Sequence, residues 1–226
     1  SKGSDVHVCG VGPRGLRAAS APLDLGNSGT AVRLLAGVLS AQSFDSILTG
    51  DESLQRRPME RLAVPLRLMG ASIETQEGLV PLGIQGGHPL NGVDYTLPVA
   101  SAQLKSALLL AGLWADGQTI VRSPGPSRDH TERMLETMGV VVEQHDNHVV
   151  SLSGPAQLVG RDLEVPGDFS SAAFFVVAGL FGAPDGLLIR NVGINPTRTG
   201  LLTILQEMGG RIELRNLRDC GAEAVA

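Results

Sequence analysis

Three segments of this chain place anion-binding side chains at predicted helix starts. In the first, Asn27 and Ser28 precede an apolar run with helical spacing, and Arg33 lies about one turn further on. The free N–H groups and the positive dipole end of such a start attract anions, and Gly29 leaves room for one to approach. Arg33 can add a two-pronged contact to a carboxylate or phosphate. We therefore predict an anion site here; the alternative is an ordinary helix cap beside a solvated arginine.

The second and third segments also offer groups that suit a negatively charged ligand. Arg56 and Arg57 stand side by side before a predicted helix start at Pro58, which fits an anion clamp or, alternatively, solvated loop cations. The third segment puts the hydroxyl of Ser101, the amide of Gln103 and the ammonium of Lys105 at the start of a long apolar run. Such donors suit a polyol ligand that carries phosphate; the alternative is Ser101 as a plain helix cap with an exposed Lys105.

Other polar residues give weaker indications. Arg128 lies in the first turn of another predicted helix, where the dipole favours anions, so a bound anion is one interpretation and pairing with Asp129 is the other. His130 could act as a base, but a lone histidine is more often a surface or packing residue. His145 and His148 fit a hairpin turn and have no third ligand nearby, so we predict no metal site.

The elements that must position these residues are repeated. A Met-Gly pair recurs at intervals of about 70 residues, at Met69, Met138 and Met208. Each pair follows an apolar helical pattern and precedes a run typical of a strand, so the glycine is predicted to end a helix there. A fixed period of this kind indicates one module used several times. The predicted order of elements in each repeat is β-α-β-α-β-β.

Equivalent elements are predicted at equivalent points of each repeat. The first helices begin after good N-caps, which are Ser28, Ser101 and Ser170. The second helices begin at Arg57-Pro58, Ser127 and Asn195-Pro196. Strands are predicted at residues 46–49, 119–122 and 187–190, and after the Met-Gly pairs at residues 70–74, 139–143 and 209–213. A hairpin joins residues 140–144 and 148–152 across Asp146-Asn147. The helix starts are expected to converge on one face; the pattern leaves open whether helices or sheets lie inward.

Composition limits the possible classes of function. The chain has 226 residues, of which 42% are hydrophobic and 18% charged, as expected of a globular protein. Its net charge of −5 argues against nucleic-acid binding. The apolar stretches are too short for a membrane span, and no secretory leader is visible. Cys9 and Cys220 are far apart and fit no ligand spacing, which favours a reducing compartment, so we expect a cytoplasmic protein.

The polar segments, taken together and in order, resemble the enolpyruvylshikimate-phosphate synthases (3-phosphoshikimate 1-carboxyvinyltransferases) of the enolpyruvyl transferase family. The matching strings span nearly the whole chain and lie at residues 23–33, 49–58, 98–112, 127–135 and 165–173. The resemblance implies an α/β (α+β) fold, an inside-out α/β prism of six β-α-β-α-β-β units, with three of them present here. Residues 1–163 would be an incomplete first domain (the end of unit one, then units two and three), and residues 164–226 the beginning of a second, unit four.

The resemblance also implies a reaction and a set of binding residues. The enolpyruvyl group of phosphoenolpyruvate moves to the 5-hydroxyl of shikimate 3-phosphate, phosphate leaves, and neither cofactor nor metal is needed. Phosphoenolpyruvate would be bound at positions that correspond to Gly29, Arg57 and Gln103, in a turn lined by Asn27, Thr30 and Arg33. Shikimate 3-phosphate would be bound at Ser101, Ala102 and Gln103, with its phosphate at Arg128.

The same resemblance implies that important parts lie elsewhere. The family's opening Lys-Ser…Arg motif and its catalytic acidic residue have no counterpart here, so we expect no turnover by this polypeptide alone. The parent enzyme is expected to be monomeric and to act without nucleic acid or membrane. Alternatives are UDP-N-acetylglucosamine enolpyruvyl transferase, which usually carries a loop cysteine, and a non-catalytic anion-binding half-enzyme. The related RNA-phosphate cyclases are disfavoured by the acidic charge balance.

Overall fold

The chain forms two compact units that do not simply follow one another in sequence. The computed structural model describes residues 5–145, 148–183 and 185–226. Residues up to Gly125 together with Val140–Gly160 form the first unit, and Pro126–Gly139 together with Arg161–Ala226 form the second. The division into two enolpyruvyl transferase domains at residues 163 and 164 stays a prediction.

Two four-stranded sheets in the first unit have the same topology. The first repeat consists of β1 (Leu23–Asp24), α1 (Gly29–Leu39), β2 (Ser46–Thr49), α2 (Glu52–Gln55), α3 (Glu60–Leu68), β3 (Ser72–Gln76) and β4 (Leu79–Gln85). The second consists of β5 (Asp94–Thr96), α4 (Ala102–Gly112), β6 (Gly117–Arg122), α5 (His130–Thr137), β7 (Val142–His145) and β8 (Val149–Gly154). The strand orders are β1-β2-β4-β3 and β5-β6-β8-β7, each with one parallel pair followed by two antiparallel pairs.

These sheets confirm the predicted β-α-β-α-β-β order in the first two repeats, with the short α2 as an addition. The predicted pairing of the hairpin is also present, because β7 and β8 are antiparallel neighbours. The turn predicted at Asp146-Asn147 lies outside the described residues.

The core of the first unit is built around α1 and α4, which pack against each other. Val32 and Ala36 of α1 and Leu108 of α4 are fully buried. At Gly37 a Cβ would come 2.2 Å from the carbonyl oxygen of Ala107, so the two helices approach too closely for any side chain there. Helix α1 also contacts β2, and α4 contacts β6 and β8. Within this unit the helices therefore face each other, with a sheet on the outer side of each.

The Met-Gly pairs end helices as predicted. The helices α3, α5 and α7 (Gly200–Glu207) each stop one residue before the methionine, which is the C-cap. The following glycines, Gly70, Gly139 and Gly209, have φ values of 106°, 90° and 91°. Positive φ costs glycine little and other residues much more, so the repeated glycine stops each helix by the same physical device.

Two of the three predicted N-caps are confirmed and one is wrong. The hydroxyl of Ser28 accepts from Ala31 N at 3.1 Å, and that of Ser101 accepts from Leu104 N at 3.4 Å. Ser170 does not cap its helix, since α6 spans Phe169–Gly182 and its cap is Asp168. The Asp168 carboxylate accepts from Ser171 N at 2.9 Å. A carboxylate also interacts favourably with the helix dipole, so Asp168 starts the helix two residues earlier.

The predicted starts of the second helices are two to five residues too early. Arg57-Pro58 precedes α3, which begins at Glu60, and Ser127 precedes α5, which begins at His130. Asn195-Pro196 lies in a turn before α7, where Asn195 Oδ1 accepts from Thr197 N at 2.9 Å. The prolines thus belong to the turns that lead into helices and not to the first helical position. At Asn195-Pro196 a side chain–backbone bond holds the turn.

The strands predicted at residues 187–190 and 209–213 are wrong, since these residues have no strand structure. The second unit instead contains β9 (Arg218–Cys220) and β10 (Glu223–Val225), which pair antiparallel. Val192 exchanges backbone hydrogen bonds with Ala226 at 3.0 and 3.1 Å. The extended segments therefore lie further along the chain than the apolar runs indicate. Across the described residues, no helix has both the length and the apolar character that a membrane crossing requires.

Candidate anion-binding site

Two arginines converge on the first residue of α1. Arg33, one turn along the helix, folds back so that its Nη1 donates to the carbonyl oxygen of Gly29 at 3.0 Å. Arg57 approaches from the segment after α2. A Cβ at Gly29 would lie 2.8 Å from Nη1 of Arg33 and 2.8 Å from Nη1 of Arg57. Only a residue without a side chain leaves both guanidinium groups in these positions beside the helix start.

Asn27 and Asp51 hold Arg57 in place. Nη2 of Arg57 donates to Asn27 Oδ1 at 2.5 Å, and Asn27 Nδ2 donates to Asp51 Oδ2 at 3.0 Å. The pKa of Asp51 is lowered, first by the bond from the backbone N–H of Leu54 and then by the Asn27 amide. The amide of Asn27 thus stands between the carboxylate and the guanidinium, so Arg57 is oriented without a direct ion pair.

Arg33 is a buried cation with neutral partners. Arg33 is only 9% exposed to solvent. Its acceptors are the carbonyl oxygens of Gly29 and Pro58 and the Oε1 atom of Gln103, which lies 3.0 Å from Nη1. Of the carboxylates that the structure describes, none forms an ion pair with Arg33. Burial, followed by the charges of Arg61 and Arg57, lowers the pKa of Arg33. A local excess of positive charge of this kind is relieved by a bound anion.

Gln103 joins the start of α4 to this cluster. Its Nε2 donates to Thr30 Oγ1 at 2.7 Å while its Oε1 accepts from Arg33. Because these contacts involve the first turns of both helices, α1 and α4 begin at the same end of the unit. Ser101 and Ala102 stand next to Gln103 at the start of α4. The two positive dipole ends therefore lie close to each other.

The structure thus brings together most of the predicted site residues in the first compact unit. Six of them are connected by hydrogen bonds or close approach: Asn27, Gly29, Thr30, Arg33, Arg57 and Gln103. Ser101 and Ala102 adjoin these six because they stand next to Gln103 at the start of α4. Arg128 is in the second unit, where it is exposed, and its predicted contact with a phosphate stays a prediction.

The remaining candidates make local contacts. His130 Nδ1 lies 2.5 Å from Glu223 Oε1, and His145 Nε2 lies 3.0 Å from Ser151 Oγ. Asp168 caps α6 and faces Arg198 at 3.4 Å. Within residues 5–145, 148–183 and 185–226, no group of three or more His, Cys, Asp or Glu side chains could hold a metal ion.

Sequence reasoning missed two residues of the cluster. Asp51 anchors Asn27, and it also caps α2 by accepting from Leu54 N at 2.9 Å. An aspartate three residues before an apolar residue is a usable cap signal, but α2 has only four residues and shows no periodicity. Arg61 contributes positive charge near Arg33 and lies in the first turn of α3, four residues after Arg57.

Comparisons with known proteins show which family the chain belongs to. The family model for EPSP synthase (3-phosphoshikimate 1-carboxyvinyltransferase) matches residues 1–224. A 3-phosphoshikimate 1-carboxyvinyltransferase of Acidithiobacillus ferrooxidans is 57% identical over 221 residues, which are 98% of this chain and 51% of the relative. Another of Methylococcus capsulatus is 54% identical over 222 residues, again 98% of this chain and 51% of the relative.

A solved structure is similar as well. EPSP synthase from Acinetobacter baumannii matches with a TM-score of 0.89 at 53% identity, over 96% of this chain and 49% of that chain. The chain thus spans about half the length of the curated relatives it matches.

Proposed function

The chain belongs to the EPSP synthase (3-phosphoshikimate 1-carboxyvinyltransferase) family, and from that membership we propose that it is part of an enzyme that transfers the enolpyruvyl group of phosphoenolpyruvate to shikimate 3-phosphate. In this reaction the 5-hydroxyl of shikimate 3-phosphate loses its proton and its oxygen bonds to the enol carbon of phosphoenolpyruvate. The carbon–carbon double bond of phosphoenolpyruvate opens, and its methylene carbon takes up a proton. The tetrahedral intermediate then loses phosphate and a proton from the methyl group. The observation that carries the proposal is the convergence of Arg33 and Arg57 on Gly29.

The cluster suits phosphoenolpyruvate because this substrate carries a carboxylate and a phosphate close together. Arg57 offers a planar fork for one of these groups, and the positive dipole end of α1 lies beside it. Arg33 is too buried to be the main contact, so its role is to supply positive charge and to fix Gly29 and Gln103. Fixed cations also stabilise the charge that develops as phosphate leaves.

The start of α4 suits the second substrate. Ser101 supplies a hydroxyl and Gln103 supplies an amide. The small side chain of Ala102 between them leaves room for a ligand. In this proposal they bind shikimate 3-phosphate next to phosphoenolpyruvate. The proposal that Arg128 binds the phosphate of shikimate 3-phosphate rests on the family match alone. The acid and base of the reaction are not assigned to residues of this chain. Inactivity of the chain on its own stays a prediction.

We propose further that residues 164–226 form a third repeat and begin a second domain, as in the inside-out prism. Gly167 pairs parallel with Val192, Gly193 pairs antiparallel with Val225, and β10 pairs antiparallel with β9. That order of one parallel and two antiparallel neighbours matches β1-β2-β4-β3, which supports a third copy of the module. The helices α6 and α7 occupy the positions of α1 and α3 in this order.

Calorimetric titration with matched variants tests the substrate proposal. Arg57→Gln removes a charge from the cluster, whereas Arg56→Gln removes one from the adjacent residue, which only faces Glu52 at 3.7 Å on the exposed surface. Phosphoenolpyruvate affinity is expected to fall about tenfold or more in Arg57→Gln and to stay unchanged in Arg56→Gln. Equal affinities in both variants would remove the support for this site.

The same titration separates the alternatives. Binding of shikimate 3-phosphate without binding of UDP-N-acetylglucosamine or of a 3′-phosphorylated RNA end supports the proposed acceptor. Preference for UDP-N-acetylglucosamine would favour the sister transferase, and preference for the RNA end would favour the cyclases.

A further inference from the structure

A buried asparagine in the second compact unit joins two carboxylates that are distant in sequence. Asn195 is 2% exposed. Its Nδ2 donates to Asp129 Oδ1 at 2.7 Å and to Glu223 Oε2 at 3.0 Å. Its Oδ1 accepts from the backbone N–H of Thr197 at 2.9 Å and from the Thr197 hydroxyl at 2.6 Å. Both amide hydrogens and the carbonyl oxygen are therefore used, which fixes the orientation of the side chain.

Each of these carboxylates also lies against a second side chain. Arg133 Nε donates to Asp129 Oδ2 at 2.8 Å, and His130 Nδ1 lies 2.5 Å from Glu223 Oε1. Burial raises the pKa of Asp129, but the bonds from Asn195 and Arg133 outweigh it and lower that pKa overall. The network is thus a closed set of paired groups.

The side chain of Asp129 takes part in this network and does not cap its own helix. It is the N-cap residue of α5, yet its side chain makes no capping hydrogen bond to that helix. An N-cap bond usually stabilises the helix that it starts. The carboxylate is instead directed to Asn195 and Arg133. The start of α5 is therefore fixed to the turn at Asn195 and to β10, at the residues that directly follow Arg128.

We propose that Asn195 and Glu223 are positioning residues that hold Arg128 for the phosphate of shikimate 3-phosphate. Arg128 is exposed and, among the described residues, takes part in no ion pair or side-chain hydrogen bond. Its backbone is held at the next two residues, because Asp129 bonds to Asn195 and His130 to Glu223. A long side chain on a fixed backbone loses less freedom on binding than one on a mobile loop. This inference rests on the proposed function.

Three variants of the full 226-residue chain test it. Glu223→Gln removes the charge that faces His130, and Arg128→Gln removes the proposed phosphate contact. The control, Glu164→Gln, removes a carboxylate that pairs with Arg218 at 2.8 Å in the same unit and whose described ion pair does not involve α5. Calorimetry measures the affinity for shikimate 3-phosphate and for phosphoenolpyruvate separately, and hydrogen exchange measures protection of α5.

The expected result is specific to one substrate and one helix. Shikimate 3-phosphate should bind roughly tenfold more weakly to Glu223→Gln and Arg128→Gln, with phosphoenolpyruvate affinity unchanged, because a lost hydrogen bond to a charged group has about this effect. Amide exchange in α5 should be faster in Glu223→Gln, and Glu164→Gln should match the natural chain in every measurement.

Three results would overturn the inference, and they differ in meaning. If Arg128→Gln weakens shikimate 3-phosphate binding but Glu223→Gln leaves both that binding and α5 exchange unchanged, then positioning is wrong and the proposed function stands. If Arg128→Gln leaves shikimate 3-phosphate binding intact, then Arg128 has no such role and the proposed phosphate contact fails with it. Equal weakening of both substrates in Glu223→Gln would indicate a general loss of structure and would also contradict the inference.

Discussion

Gly29→Ala is expected to separate ligand binding from stability. The added Cβ would lie 2.8 Å from Nη1 of both Arg33 and Arg57, whereas ordinary contacts begin at 3.4 Å, so both guanidinium groups must move away. One charge-assisted hydrogen bond to the ligand is worth about 1.5–3 kcal/mol, which corresponds to a roughly tenfold to hundredfold loss of phosphoenolpyruvate affinity. Stability should not fall, because alanine is favoured over glycine in helices by up to about 1 kcal/mol.

The control for this prediction is Gly200→Ala. Gly200 is the first residue of α7, as Gly29 is the first residue of α1, but a Cβ there meets nothing within 4 Å. Both variants should keep or slightly raise the melting temperature in thermal unfolding. Only Gly29→Ala should weaken phosphoenolpyruvate binding in calorimetry. Unchanged affinity in Gly29→Ala would refute the idea that the two arginines form the binding site at this helix start.

Three further results are expected. Gly37→Ala should lower the unfolding free energy by about 1–3 kcal/mol in denaturant titration, because its Cβ would come 2.2 Å from the Ala107 carbonyl oxygen, while Gly182→Ala, which meets nothing within 4 Å, should not. Asn27→Asp places a carboxylate against Arg57 and beside Asp51, so phosphoenolpyruvate affinity should fall about tenfold in calorimetry; an unchanged value would be evidence against Arg57 as a ligand contact. The pKa of Asp129 is lowered in the folded state from its ordinary value of 3.8, so the contribution of this carboxylate to stability is present above pH 3.8 and is lost as the pH falls further. The loss of stability with falling pH should therefore be less steep in Asp129→Asn, as measured by acid unfolding.

Helix ends could be predicted from the sequence because they depend on local chemistry. Met-Gly ends α3, α5 and α7, and Ser28 and Ser101 cap their helices, since in each case the signal and the bond lie within four residues. The strands of the third repeat could not be predicted in the same way. Leu187 and Leu188 are apolar and 51% and 65% exposed, so an apolar run did not mark a buried strand there.

The site shows the same division between local and distant causes. That Gly29, Arg33 and Arg57 belong to one cluster could be predicted from residue types and from the family resemblance, and the structure brings them together. That Gln103 joins α4 to α1 depends on contacts across 70 and 73 residues, which only the packing of the two helices creates. The role of Asp51 was missed because its partner Asn27 lies 24 residues away on another element.

A crystal structure of the chain grown with saturating phosphoenolpyruvate tests the central claim most directly. The account predicts an anionic group of the ligand within hydrogen-bonding distance of Arg57, next to Gly29 at the start of α1. A ligand bound away from this helix start, or an empty cluster at saturating ligand, would contradict it.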